Sequence, residues 1–432
     1  MARILLILFI IGLQIQIVSP QAKGQSESDT LETTLPVAPQ RGLGEKLLDV
    51  PETIIKLPLY VGKGLSWAVI NGIYRNESVH KLAGYAFSFR PAGGVVPVVS
   101  FGSNAGWRFG LAYVRMNFLQ QADRARWVAS YSTNKYSRLE MSYSSPRAFS
   151  QRLGLATVVS YRSRPRESFF GIGNDSQDTN RVAFTMERTL VQLLLPWRFA
   201  KNLNLEFGGS FSAYRISDGE STDRLNSLPE IEAKLGLSHA DFRSADIISG
   251  AVILDHDWRN NKGQPTSGGR EQLELRYNHG VGNADDIKTV VAEADISHYL
   301  NIYHKRLLAL RVIARSVNAD DEKVPVLPFY LKSNLGGRDN LRGFLNNRFV
   351  DYDMTMATVE YRWPIWSMID AFIFAEAGRT YSSVSDEFTL RNWHEGFGTG
   401  LRVWREDNIL VSFQVAFSDE ERRIYLELGG EW

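Results

Sequence analysis

From about residue 84 to Trp432, apolar residues recur at every second position. In 203–213, Leu203, Leu205, Phe207, Phe211 and Ala213 fall on one face, and Asn204, Glu206, Ser210 and Ser212 on the other. Val411, Phe413, Val415 and Phe417 alternate with Ser412, Gln414, Ala416 and Ser418. Ile424, Leu426, Leu428 and Trp432 alternate with Tyr425, Glu427 and Glu431. Period two is the signature of strands, whose successive side chains point to opposite faces. The runs are about ten residues long, as a tilted strand needs to cross a bilayer. A soluble sandwich also alternates, with its apolar face turned inward; Arg311 and Arg315, within the run Leu307 to Arg315, are awkward in such a core. The pattern therefore predicts an all-β chain, a transmembrane antiparallel β-barrel with its apolar face to lipid and its polar face to the lumen. About sixteen or seventeen runs can be counted. An even number is required if both ends lie on one side, so the expectation is about sixteen strands.

Composition narrows the partners. The 432 residues carry 49 Lys+Arg against 48 Asp+Glu, a formal charge of +1, too balanced for a nucleic-acid-binding surface. The absence of cysteine excludes disulfide frameworks, thiolate zinc sites, thiol nucleophiles and lipoprotein-type acylation. The mean hydropathy is below zero, unlike that of a bundle of membrane helices. Arg3 followed by the apolar run Ile4 to Ile11, with small residues Ala22 and Gly24 downstream, reads as a signal peptide over 1–24. Residues 25–44 read as a polar linker. Residues 45–83 read as a short amphipathic helical segment broken near Pro51 and Pro58, either packed on its own domain or anchored at an interface by Trp67 and Tyr74. The barrel is expected over 84–432.

No enzyme signature is legible, so no catalytic residue is assigned. Gly102-Ser103-Asn104 is not a nucleophile elbow, and the seven histidines form no pair at helical metal-ligand spacing. Asp320-Asp321-Glu322 reads as solvated loop charge, and Gly396 to Gly400 lie on a strand rather than before a helix. No metal and no cofactor is expected.

Between Arg315 and Asp351 the alternation fails over about 35 residues, a length that marks a functional or disordered loop. Within it, over the expected 317–352 loop, lies an aliphatic-Arg-Gly-aromatic tetrapeptide, Leu341-Arg342-Gly343-Phe344. Here the sequence resembles the Omp85 superfamily, also called bacterial surface antigen D15 or BamA/TamA-like barrels, whose sixth extracellular loop carries such a motif and folds into the lumen. Glu360-Tyr361-Arg362 is similar to the strand that follows, and Phe374-Ala375-Glu376-Ala377-Gly378 to the next, with Glu where the family prefers Asp. The Gly-rich strand Gly396 to Arg402, the turn from Asp255 to Gly269 and the segment Phe169-Phe170-Gly171-Ile172-Gly173-Asn174 also resemble family segments.

The resemblance implies that Arg342 reaches into the lumen to Glu376 and lies near Glu360, with Arg362 beside them. An arginine placed there is costly unless its fork meets carboxylates in good geometry. It also implies that Tyr425, Leu428 and Trp432 form a C-terminal signal read by the barrel-assembly machinery, and that the chain resides in the outer membrane of a Gram-negative-type bacterium. About 60 residues separate the leader from the first strand, so the resemblance is to short members without POTRA domains. The implied role is insertion, assembly or translocation of proteins through a weak first-to-last strand seam, which Gly429 and Gly430 would loosen or merely uncrowd. Expected partners are outer-membrane lipids, client outer-membrane or secreted proteins and the assembly machinery, but no nucleic acid. A passive or loop-gated channel is the alternative. Clients, solutes and homo-oligomerisation stay open at this level.

Overall fold

The computed structural model describes residues 93–428, apart from 221–229, 231–236, 238, 304, 320–326, 367 and 406–407. The expected signal peptide, linker and helical segment lie outside the described residues, as do 84–92, Gly429, Gly430 and Trp432.

Sixteen strands close an antiparallel barrel, as the alternation predicts. They are β1 (Gly93–Gly102), β2 (Gly106–Met116), β3 (Arg124–Ser132), β4 (Ser137–Ser145), β5 (Leu155–Phe169), β6 (Val182–Ala200), β7 (Leu203–Asp218) and β8 (Ala245–Asp257), followed by β9 (Gly268–Val281), β10 (Lys288–Tyr303) and β11 (Arg306–Ala319). Two short strands, β12 (Ser333–Leu335) and β13 (Phe349–Asp351), pair with each other outside the barrel wall. The wall resumes with β14 (Asp353–Trp366), β15 (Ile369–Tyr381), β16 (His394–Arg405), β17 (Asn408–Phe417) and β18 (Arg422–Leu428). Each wall strand pairs with its chain neighbours, and β18 closes on β1 through four registered pairs among the described residues, Val99–Leu428 to Gly102–Tyr425. The longest strands, β6 with 19 residues and β7 and β10 with 16 each, exceed the ~10 that a bilayer crossing needs.

The two faces follow from period two. Phe109, Leu111, Tyr131, Leu139, Val191, Phe207, Leu275, Val359 and Phe397 are exposed on the outer surface, as a lipid-facing band requires. The inner face departs from a uniformly polar lumen. Where the long loops enter, lumen-phase strand residues are apolar and pack against loop residues. Ile313, Met354 and Met356 close around Leu335, Leu341, Phe344 and Phe349. Phe169, Val182 and Phe184 close around Phe242, Phe329 and Val350. One end of the barrel is therefore stoppered by a dry core, and charged side chains line the remainder of the lumen.

Candidate functional site

The segment between β11 and β14, called loop 6 here, turns inward and is fastened at its Leu341–Phe344 tetrapeptide. All four residues are buried. Leu341 and Gly343 both have positive φ, +68° and +101°, so the backbone bends sharply on either side of Arg342. Glycine adopts this region without cost, whereas a leucine there is held only because its surroundings over-determine it. Leu341 is wholly buried in the apolar cluster of Ile313 and Met356. The Ser418 hydroxyl donates to the Gly343 carbonyl at 3.1 Å.

Arg342 then meets a prepared carboxylate. Glu376, lumen-facing on β15, accepts the Arg342 backbone N–H at 2.6 Å on one oxygen. The other oxygen accepts Nε at 2.8 Å and lies 2.6 Å from Nη2. Nη1 donates to Gln414 of β17 at 2.8 Å and sits 3.6 Å from Glu360 of β14. The guanidinium lies 3.4 Å from the centroid of the Phe374 ring. Both partners of the Arg342–Glu376 pair are under a tenth exposed, so charge, hydrogen bonds and cation–π contact act in a dry environment where each is strong.

The Gly-rich strand β16 makes this possible by what it lacks. Its lumen-facing positions Gly396, Gly398 and Gly400 leave room for neighbours. A Cβ on Gly398 would stand 2.6 Å from the Phe374 ring, one on Gly400 2.4 Å from the Phe372 ring, and one on Gly396 2.2 Å from the Arg342 carbonyl oxygen. The rings can therefore lie flat across the adjacent strand, and Phe374 presents its face to the arginine.

Of the residues singled out in the sequence, Leu341, Arg342, Gly343, Phe344 and Glu376 converge directly. Glu360 and Arg362 lie beside them but form a second group. Glu360 takes a bidentate pair from Arg402 at 2.7 and 3.1 Å and a bond from Arg362, with Arg342 farther off. Tyr425 faces the lumen in a cluster with Phe372, Phe374 and Ala416. Leu428, opposite in phase, pairs in register with Val99 of β1 and Val411 of β17. Trp432 lies outside the described residues.

Sequence reasoning missed Gln414, Arg402 and a second arginine of loop 6. Arg348, 3% exposed, bonds Glu420 at 2.7–2.9 Å and the Ser176 hydroxyl and carbonyl at 2.9 and 2.8 Å. It is flanked by the Phe170 and Phe349 rings. It thereby ties loop 6 to the loops after β5 and β17. The Phe169–Asn174 segment belongs to the same stitching: Gly173 N–H donates to the Val350 carbonyl at 2.8 Å, and the Asn174 side-chain oxygen accepts Thr380 N–H at 3.2 Å. Phase alone puts Arg402 on the face of Gly396–Gly400, but its partnership with Glu360 depends on register across β14–β16.

Beyond the anchor, toward the turn between β8 and β9, a lumen cavity of about 760 Å³ is bordered by Arg311, Arg362, Arg402, Glu360 and Glu427.

Comparison with known proteins gives this arrangement a family. The model of the Omp85 superfamily domain matches residues 117–432. No curated protein matches the sequence. Among solved structures, BamA from Haemophilus ducreyi lacking POTRA domains 1–3 is similar at a TM-score of 0.57 and 16% identity, over 78% of this chain and 70% of that one. CdiB from Escherichia coli is similar at a TM-score of 0.51 and 13% identity, over 79% of this chain and 64% of that one, less than two thirds of its length. At such identities the likeness is one of fold. The family match covers most of the chain and includes the anchored loop: this protein belongs to the Omp85 superfamily and is a β-barrel of the outer membrane.

Proposed function

We propose that the chain acts in the insertion, assembly or translocation of other proteins at the outer membrane, with loop 6 docked by Arg342 as the element that holds the barrel in its working form. The carrying observation is the convergence of the Leu341–Phe344 tetrapeptide on Glu376 inside an Omp85 barrel. The docked loop reaches β15, β17 and the β17–β18 turn, so its position is coupled to the strands next to the β1–β18 junction. That junction is where an incoming strand would add, using the N–H and C=O groups of a parted edge. Pro97 in the middle of β1 cannot donate a ladder bond, a property suited to a strand that serves as an edge. In this reading Leu341, Arg342, Gly343 and Phe344 are the lock, Glu376 its first partner, and Glu360 with Arg362 its electrostatic support. Tyr425, Leu428 and Trp432 act as the signal for the chain's own insertion, after removal of residues 1–24.

The charged cavity beyond loop 6 favours a second reading, a passive or loop-gated channel whose lumen charges set selectivity. Depletion of the protein followed by quantitative outer-membrane proteomics and solute-uptake measurement separates the two. A selective fall in other outer-membrane or secreted proteins is expected. An unchanged protein profile with altered solute flux would replace the assembly role with the channel.

A further inference from the structure

Among the described residues, the lumen wall formed by β2 to β6 carries more arginines than carboxylates. Arg138 of β4 stands directly opposite Arg162 of β5, and Arg162 directly opposite Arg188 of β6. Like charges facing one another across a ladder are destabilising, and here three stand in one row. A cavity of about 310 Å³ opens on this wall, and six arginines border it: Arg108, Arg126, Arg138, Arg162, Arg164 and Arg338. Arg338 is satisfied by Glu427 at 2.9 Å and Asp339 at 3.2 Å. Of the other five, Arg138, Arg162 and Arg126 share Glu140 at 2.9, 3.0 and 3.9 Å. Arg108 and Arg164 have no hydrogen-bond or ion-pair partner among the described residues, and the Nε atoms of Arg108 and Arg162 are buried without one. Six arginines against Glu427, Asp339 and Glu140 leave a formal excess of about three positive charges among the described residues at one small space, although the whole chain is nearly neutral.

We propose that this cavity is a binding site for a small anion bearing two or more phosphates. Guanidinium forks match phosphate oxygens bidentately, and the cavity's Arg126, Arg138 and Arg162 lie on three adjacent strands, β3, β4 and β5, that span roughly 10 Å, which two or three linked phosphates can follow. The volume admits such a group but no folded peptide segment. Bound there, it would bridge the in-register Arg138 and Arg162 and turn their repulsion into a set of charge-assisted hydrogen bonds. The phosphates can come from a soluble polyphosphorylated anion or from a lipid headgroup, and the two sources are separable by experiment.

The full-length protein in nanodiscs is titrated at about 0.15 M salt with inorganic tripolyphosphate, and separately compared in nanodiscs with and without cardiolipin, whose headgroup carries two phosphates. Heat-modifiable gel migration reports folding. The arginines without partners supply the variant, Arg108→Gln with Arg164→Gln, which removes charge and no hydrogen bond. Saturable tripolyphosphate binding that weakens about tenfold or more in this double variant supports the site with a soluble ligand. Binding seen only with cardiolipin, and equally dependent on the two arginines, supports it with a headgroup ligand. Absence of binding to both probes, or binding that the double variant leaves unchanged, overturns the proposal. If the double variant does not fold, Glu140→Gln carries the test: removing the internal competitor should tighten binding, and unchanged or weaker binding would overturn it.

Discussion

The two sides of the lumen are built from the same alternation and end in opposite electrostatic states. From β8 through β18, acids and bases interlock: Arg270 meets Asp255 at 2.6 Å, Arg311 meets Asp295 at 2.7 Å, and Arg315 meets Glu293, its direct register partner, at 3.3 Å. Loop 6 completes that side by delivering Arg342 to Glu376. From β2 to β6, arginine faces arginine and one glutamate serves three of them. Period two decides which residues enter the lumen. Register across strands decides whether they neutralise one another there.

The largest expected effect is obtained by making the paired side resemble the unpaired one. Glu360→Ala would strand Arg362 and Arg402 and deprive Arg342 of a nearby charge, all three at most 16% exposed. Removing one partner of so buried a group costs about 3–5 kcal/mol. Urea unfolding of the detergent-solubilised barrel should show that loss, and a smaller one for Glu140→Ala, whose partner Arg162 is 38% exposed. Equal losses on the two sides would erase the distinction.

Next comes Gly398→Ala. The added methyl would meet the Phe374 ring at 2.6 Å and the Val415 carbonyl oxygen at 2.2 Å, so the platform beneath Arg342 must move. Overpacking of this kind costs about 1–3 kcal/mol, and loop 6 should exchange its amide hydrogens faster although no charge has changed.

The contrast can also be reversed. Arg188→Glu would place a carboxylate opposite Arg162, the pattern of the paired side, and should stabilise the barrel by about 0.2–1 kcal/mol in the same urea assay. Destabilisation would mean that the contacts of Arg188 with Ser212 and Tyr214 outweigh the repulsion.

The smallest effect concerns pH. Burial pushes the Asp351 carboxyl in loop 6 above its ordinary value, outweighing the Tyr352 N–H and the charge of Lys332. A carboxyl whose pKa is raised in the folded state favours the protonated form. Loop 6 should therefore be held more firmly as pH falls from neutral through the raised value toward about 4. Asp351→Asn should remove that dependence, read as hydrogen exchange of 327–352 against pH.

Much of the architecture was legible because a strand's two faces are written locally: Phe207 and Glu206 reveal their phase without knowledge of any partner. Arg342 was legible because the alternation breaks around it and the tetrapeptide resembles a family motif. Gln414, Arg402 and Arg348 were not, since their partners lie 42 to 172 residues away and the pairing depends on which strands and loops the fold brings together. The dry core behind loop 6 was missed for a related reason. Ile313, Met354 and Met356 sit in lumen phase, where a uniform polar lining was expected, and only the inward course of the loop explains their character. Lumen-phase apolar residues gathered at one end of several strands are the sign that such a stopper exists.

The most direct test is of the docked loop itself. Folded barrels carrying wild-type sequence, Arg342→Ala or Glu376→Ala should be inserted in native outer membranes and digested with proteinase K, with cleavage mapped within 327–352. Loop 6 should resist digestion in the wild type and be cut readily in both variants, the second of which leaves the loop's own sequence intact. Equal resistance in all three would contradict the claim that the Arg342–Glu376 pair holds loop 6 in the lumen.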